Sequence, residues 1–153
     1  MVTLYEVYLW AHIFMAVIWV GGSLALQLLA LRAMRSDDPI RVAHFSKDAE
    51  WVGMHLFAPA SLLLVVSGFL LVSKADWGYP FWMIFAIAVW AASALNGSVL
   101  LGPESKRLGK LVEAHGVEDP EVQRRINRIF LVSRVELVLL IAVVFDMTIK
   151  PFN

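Results

Sequence analysis

The stretch LWAHIFMAVIWVGG, residues 9–22, sets one imidazole inside an otherwise apolar run. A neutral His12 there could ligate haem iron or copper, donate one hydrogen bond between helices, or titrate in a proton path. At helical spacing Met15 or Ala16, Trp19 and Ser23 share its face. A flat ring held by His12 could therefore stack beside Trp19, with Met15 and Met83 the nearest soft donors. A second polar group comprises Gln27, His55, Asn96, Arg134 and Glu136. Ionisable side chains inside apolar segments usually face the bundle interior and pair. The structural alternative is a hydrogen-bond network, with Arg134 reaching back to the membrane surface.

Spacing limits these options. His12 and His55 lie near opposite membrane faces, separated in depth by more than about 10 Å at the helical rise. They are not expected to clamp one haem within a single chain. Arg134 and Glu136 are about 200° apart around a helix, so at most one of them meets a given neighbour. His44 and His115 fall in charged segments and are read as solvated. Asp146, near the far end of the last apolar run, could reach toward His12 or sit at the interface. The chain has no cysteine, which excludes disulfides, iron–sulfur clusters and thiolate metal sites. No catalytic residue is assigned.

These side chains need elements that cross a membrane. Of the 153 residues, 59% are hydrophobic and 17% charged, and the mean hydropathy is +0.71. An ordinary soluble domain is about 45–50% apolar and about 25% charged. The excess collects in four blocks, about 4–31, 51–73, 80–102 and 129–149, each near the ~20 residues that a spanning helix needs. The first block carries Glu6 in place of a basic leader region and is too long for a cleaved signal. The expected fold is an all-α, four-span membrane bundle in one domain covering residues 1–153.

Charge sets the expected orientation. Arg32, Arg35, Arg41 and Lys47 lie between blocks one and two. Lys106, Arg107, Lys110, Arg124, Arg125 and Arg128 lie between blocks three and four. The positive-inside rule makes both segments cytoplasmic loops, with the two termini outside, in a cell (inner or plasma) membrane. Asp37-Asp38-Pro39, Asp76-Trp77-Gly78-Tyr79-Pro80, Gly102-Pro103 and Lys150-Pro151 are read as boundaries. Asp119-Pro120-Glu121 is read as the start of a short basic helix, 120–128, that runs into the fourth span. His12 then sits about five to seven residues inside the outer edge, level with 66–68, Ala86 and Ile141. Small residues supply close-approach surface on spans one to three. The fourth span, Leu/Val/Ile-rich from 135 to 144, is expected to be the most exposed to lipid or to a partner.

The first-helix motif resembles that of the CopD and HemJ-type four-helix membrane proteins. Over nearly its whole length the chain most resembles the DUF2269-type bacterial integral membrane proteins. The residues that carry the likeness are Asp38-Pro39 with Val42-Ala43, and Phe57-Ala58-Pro59-Ala60 with Ser67-Gly68. Gly102-Pro103 with the basic stretch to Leu111, and Lys150-Pro151, complete it. HemJ-type proteins are haem-binding protoporphyrinogen oxidases with a first-helix histidine and a third-helix lysine. The resemblance matches His12 to that histidine but places Ala86 where the lysine belongs, which argues against oxidase chemistry. Copper handling of the CopD kind finds no clustered methionine pattern.

The resemblance thus implies a b-type haem or other tetrapyrrole bound through His12, with Met15 and Trp19 beside it. The alternative is a non-catalytic accessory subunit of a larger respiratory, photosynthetic or transport complex. A third option is a small enzyme or transporter working through the inner group. Expected partners are the lipid bilayer and other membrane proteins or further copies of the chain. The basic segments follow topology, touch anionic lipid, and give no reason to expect nucleic acid. No phosphate-binding glycine loop is present, because Gly21-Gly22 lies inside a span.

Overall fold

In a computed structural model of the chain, residues 2–36, 38–75 and 80–150 are described. Among them every element is helical, in four long rods. Helix α1 runs Leu4–Met34, α2 covers 39–75, α3 runs Phe81–His115 and α4 runs Pro120–Ile149. The first three are long and apolar enough to cross a membrane. Arg134, Glu136 and Asp146 interrupt the apolar stretch of α4. Of the expected boundary residues, Asp37, 76–79 and Pro151 lie outside the described residues.

The helix starts follow local chemistry. Thr3 and Glu6 form a reciprocal capping box at α1, satisfying amide donors that a first turn leaves open. The Asp38 carboxylate accepts from the Ile40 amide ahead of α2, and Asp119 accepts from Glu121 and Val122 ahead of α4. Pro39 and Pro120 each occupy a first-turn position, where a missing N–H costs nothing. The basic helix expected at 120–128 does run into the fourth apolar segment without a break.

Three helices widen locally into π-helical turns, at Val17–Gly21 in α1, Gly53–Phe57 in α2 and Asn96–Leu101 in α3. Two of these directly precede prolines. Pro59 and Pro103 offer no N–H to the carbonyl four residues back, and the proline ring crowds that carbonyl. The chain answers by lengthening its hydrogen-bond register. Ala58 donates to Gly53 and Gly102 donates to Gly97, each five residues back. Gly102-Pro103 was expected to end the third span. Instead α3 continues to His115, because the widened turn accommodates the proline.

The segments expected to be cytoplasmic loops are correspondingly helical. Pro39–Val52 packs along Gly102–His115, and the start of α4 closes the group. Val42, Ala43, Leu108, Val112, Val122 and Ile126 form its core, with Val122 at 0% and Ile126 at 2% exposure. The physical reason is amphipathicity. These charged stretches place apolar residues at helical spacing, so they bury a stripe against each other. Gly109 allows close approach, since a Cβ there would lie 3.6 Å from the Ala43 carbonyl oxygen. Lys47–Glu113 and Arg125–Glu104 pairs rim the core.

Above that base, α1 packs along α2 and α3 along α4. Trp19, Val89 and Leu140 form a second core where α1, α3 and α4 meet. The first part of α1, Leu4–Ala16, contains no buried residue; α4 buries Val122 and Ile126 in the base and, farther along, Leu140 and Asp146. Within 129–149, Leu131, Val135, Val138, Ile141, Val144 and Phe145 stand exposed, while Leu140 sits in the second core.

Candidate functional site

His12 faces α2. Its Nδ1 lies 2.9 Å from the Leu64 carbonyl oxygen and 3.3 Å from the Ser67 hydroxyl. A carbonyl only accepts, so Nδ1 carries the proton of the neutral ring and Nε2 keeps its lone pair. The seat is made by Gly68. A Cβ at that position would stand 3.1 Å from His12 Cε1 and 3.4 Å from Nδ1, so any larger residue would push the ring away. The depth match of His12 with residues 66–68 is thus seen as contact with Ser67 and Gly68.

The partners proposed for His12 fall elsewhere or make no bond to it. Trp19 sits in the mid-bundle core, 6% exposed, against Val89 and Leu140. Met15 is half-buried, and Ala86 is buried on α3. Asp146 neither bonds to His12 nor lies open at the interface. It is 7% exposed, and its Oδ2 has no hydrogen-bond partner among the described residues.

The second polar group divides. Asn96 Nδ2 donates to Glu136 Oε2 at 2.6 Å, joining α3 to α4. Gln27 and Glu136 both line one cavity of about 450 Å³. His55 leaves this group: it is exposed, stacks on Trp51 at 4.8 Å between centroids, and donates from Nδ1 to the Trp51 carbonyl. Arg134 is also exposed, with its guanidinium 5.5 Å from the centre of the Phe130 ring. The 200° separation had implied that Arg134 and Glu136 would part in this way. His44 and His115 are exposed, as read from the sequence.

The cavity is walled by all four helices. Trp19, Phe57, Trp90 and Phe130 contribute aromatic surface, and Gln27, Ser93 and Glu136 contribute polar atoms. Trp90 is fixed by its indole N–H, which donates to the Ser61 carbonyl at 3.1 Å. Each of the three π-helical turns supplies wall residues, among them Trp19, Gly53 and Gly97. Sequence reasoning missed Trp90, Ser93 and the cavity itself. The prolines at 59 and 103 were the available signal, since a proline inside an apolar helix forces a local departure from α geometry.

No group of three or more His, Cys, Asp or Glu side chains is placed to hold a metal ion among the described residues. A family model described as a predicted integral membrane protein matches residues 6–151. No curated protein and no solved structure matches the chain.

Proposed function

The chain belongs to the DUF2269 family of predicted integral membrane proteins, and from that premise we propose that it holds a b-type haem or other tetrapyrrole through His12. The observation that carries this reading is the bond from Nδ1–H to the Leu64 carbonyl. Metal-ligating histidines characteristically donate their second nitrogen to a carbonyl or carboxylate, which fixes the tautomer and raises ligand basicity. His12 has that arrangement, with Gly68 giving the ring room, so its free Nε2 would suit it to hold the metal of such a group. The group, when bound, supplies one-electron chemistry. The chain's own residues hold and orient: Leu64 sets the tautomer, Ser67 adds a polar contact, and Gly68 sets the ring position.

The reading includes four spans, with α4 crossing as well. Its three charged side chains can cross because Glu136 is bonded to Asn96, Asp146 is buried within the bundle, and Arg134 can snorkel. The basic inner base then lies in the cytoplasm of a cell with this protein in its plasma membrane. Purified from haem-replete cells, the protein should show a Soret band that His12→Ala abolishes while the variant stays folded. A colourless, folded wild type would refute the reading.

A second reading, accessory subunit of a larger membrane complex, is favoured by the outer half of α1. Trp10 and Phe14 stack there at 5.2 Å and are exposed, on a segment that buries nothing within the chain. Co-purification with a stoichiometric partner, lost in Trp10→Ala/Phe14→Ala, would support it. A stable lone monomer in mild detergent would count against it.

A further inference from the structure

We propose that the inner cavity is a binding site for a monovalent organic cation with an apolar body, held by the Glu136 carboxyl and the aromatic walls. The cavity, about 450 Å³, falls within the ~300–1,000 Å³ range of small-molecule sites. It is distinct from the His12 seat, since His12 is not among its wall residues.

Charge selects the ligand class. No lysine, arginine or histidine is among the described residues that line the cavity, whereas Glu136 and, toward the base, Glu50 are. Glu50 faces Lys106 at 4.0 Å. Among the described residues the hydrogen bonds to Glu136 from another helix come from neutral groups of α3, the Asn96 amide at 2.6 Å and the Ser93 hydroxyl. The nearest cation in sequence, Arg134, is exposed over Phe130. A carboxylate inside a membrane bundle calls for an opposite charge, and among the described residues no cationic side chain pairs with Glu136. Trp19, Phe57, Trp90 and Phe130 line the cavity, and aromatic rings attract ammonium groups, with Trp the strongest of such partners. The π-helical turns of α1, α2 and α3 all border this one space, and such turns occur frequently at functional sites.

The test uses the full-length protein in phosphatidylcholine nanodiscs, with empty nanodiscs to subtract partition into lipid. Tryptophan fluorescence is titrated with benzyltrimethylammonium, with its neutral carbon isostere, and with phenylacetate. The ammonium should bind saturably, at least about tenfold tighter than the isostere, a difference of about 1.4 kcal/mol. Phenylacetate should show no saturable binding. Glu136→Gln should abolish the preference for the cation, and His44→Ala, an exposed change elsewhere, should keep it. Equal binding of the neutral isostere would overturn the proposal, as it would show the carboxyl protonated and the cavity merely apolar. An unchanged preference in Glu136→Gln would do the same. Should Glu136→Gln fail to fold, the wild-type comparison of ammonium against isostere decides alone.

Discussion

His12 shows how much one glycine can settle at the level of a residue. Its ring occupies space that a Cβ at residue 68 would crowd at 3.1 Å, and the Leu64 and Ser67 contacts depend on that placement. Gly68→Ala should therefore displace the imidazole and destabilise the protein by about 1–3 kcal/mol, as overpacking does. Thermal unfolding in detergent measures this, and any His12-dependent Soret band should broaden or disappear in the same variant. Gly22 is tighter still, because a Cβ there would meet the Phe57 ring at 2.6 Å. Gly22→Ala is expected to cost at least as much in the same assay and to disturb the wall of the inner cavity. Both glycines were legible in the sequence as small-residue packing positions. Which neighbour each admits was not, because that depends on the rotation of two helices about each other.

The element scale is dominated by the π-helical turns. Their longer hydrogen-bond register follows from Pro59 and Pro103 in two cases, while Val17–Gly21 has no proline behind it. Its sequence offers no comparable physical cause. Amides within Gly53–Phe57 and Asn96–Leu101 should exchange with solvent deuterons faster than those of the flanking α turns, by about tenfold or more, since weaker local bonding opens more readily. Pro59→Ala restores a donor for the carbonyl four residues back. It should slow exchange in Gly53–Phe57 toward the rate of its flanks, and unchanged exchange would show that tertiary packing, not the proline, holds the wide turn. The same elements explain why the span boundaries drawn from hydropathy fell short. Hydropathy stops at the charged residues, whereas the backbone continues helical for as long as an apolar stripe finds a partner.

For the whole molecule, stability should rest on the inner base more than on its ion pairs. Ile126 is 2% exposed in the Val42–Leu108–Val122 core, and Ile126→Ala should cost about 2–5 kcal/mol. The Lys47–Glu113 pair is surface-exposed on both sides, and such pairs contribute little to stability because water and salt screen them. Hydrogen bonding and charge from Lys47 hold the Glu113 carboxyl below its ordinary pKa. Its contribution is therefore present above the unfolded carboxylate value and is lost as pH falls through the lower folded value. Acid titration of stability should show a small step in that range that Lys47→Ala removes. The proposed cytoplasmic placement of the basic base predicts that single cysteines at Ser36 and Val117 label only after permeabilisation and that one at Val2 labels in intact cells. The native chain has no cysteine, so these reporters have no background.

Amino-acid order alone determined that this is a helical membrane protein, where its caps and charged segments lie, and that one histidine, His12, falls within the first apolar run. Those properties are local or summed along the chain: apolar length, capping chemistry, net basic charge. Tertiary structure alone decided that Trp19 belongs to the mid-bundle core, that His55 leaves the inner group while Gln27, Asn96 and Glu136 stay near one cavity, and that the loops are a packed helical base. Each of these turns on the phase of one helix against another. A π-helical turn adds a residue to the register and rotates everything beyond it, so a face read at α-helical spacing from LWAHIFMAVIWVGG does not survive past Val17.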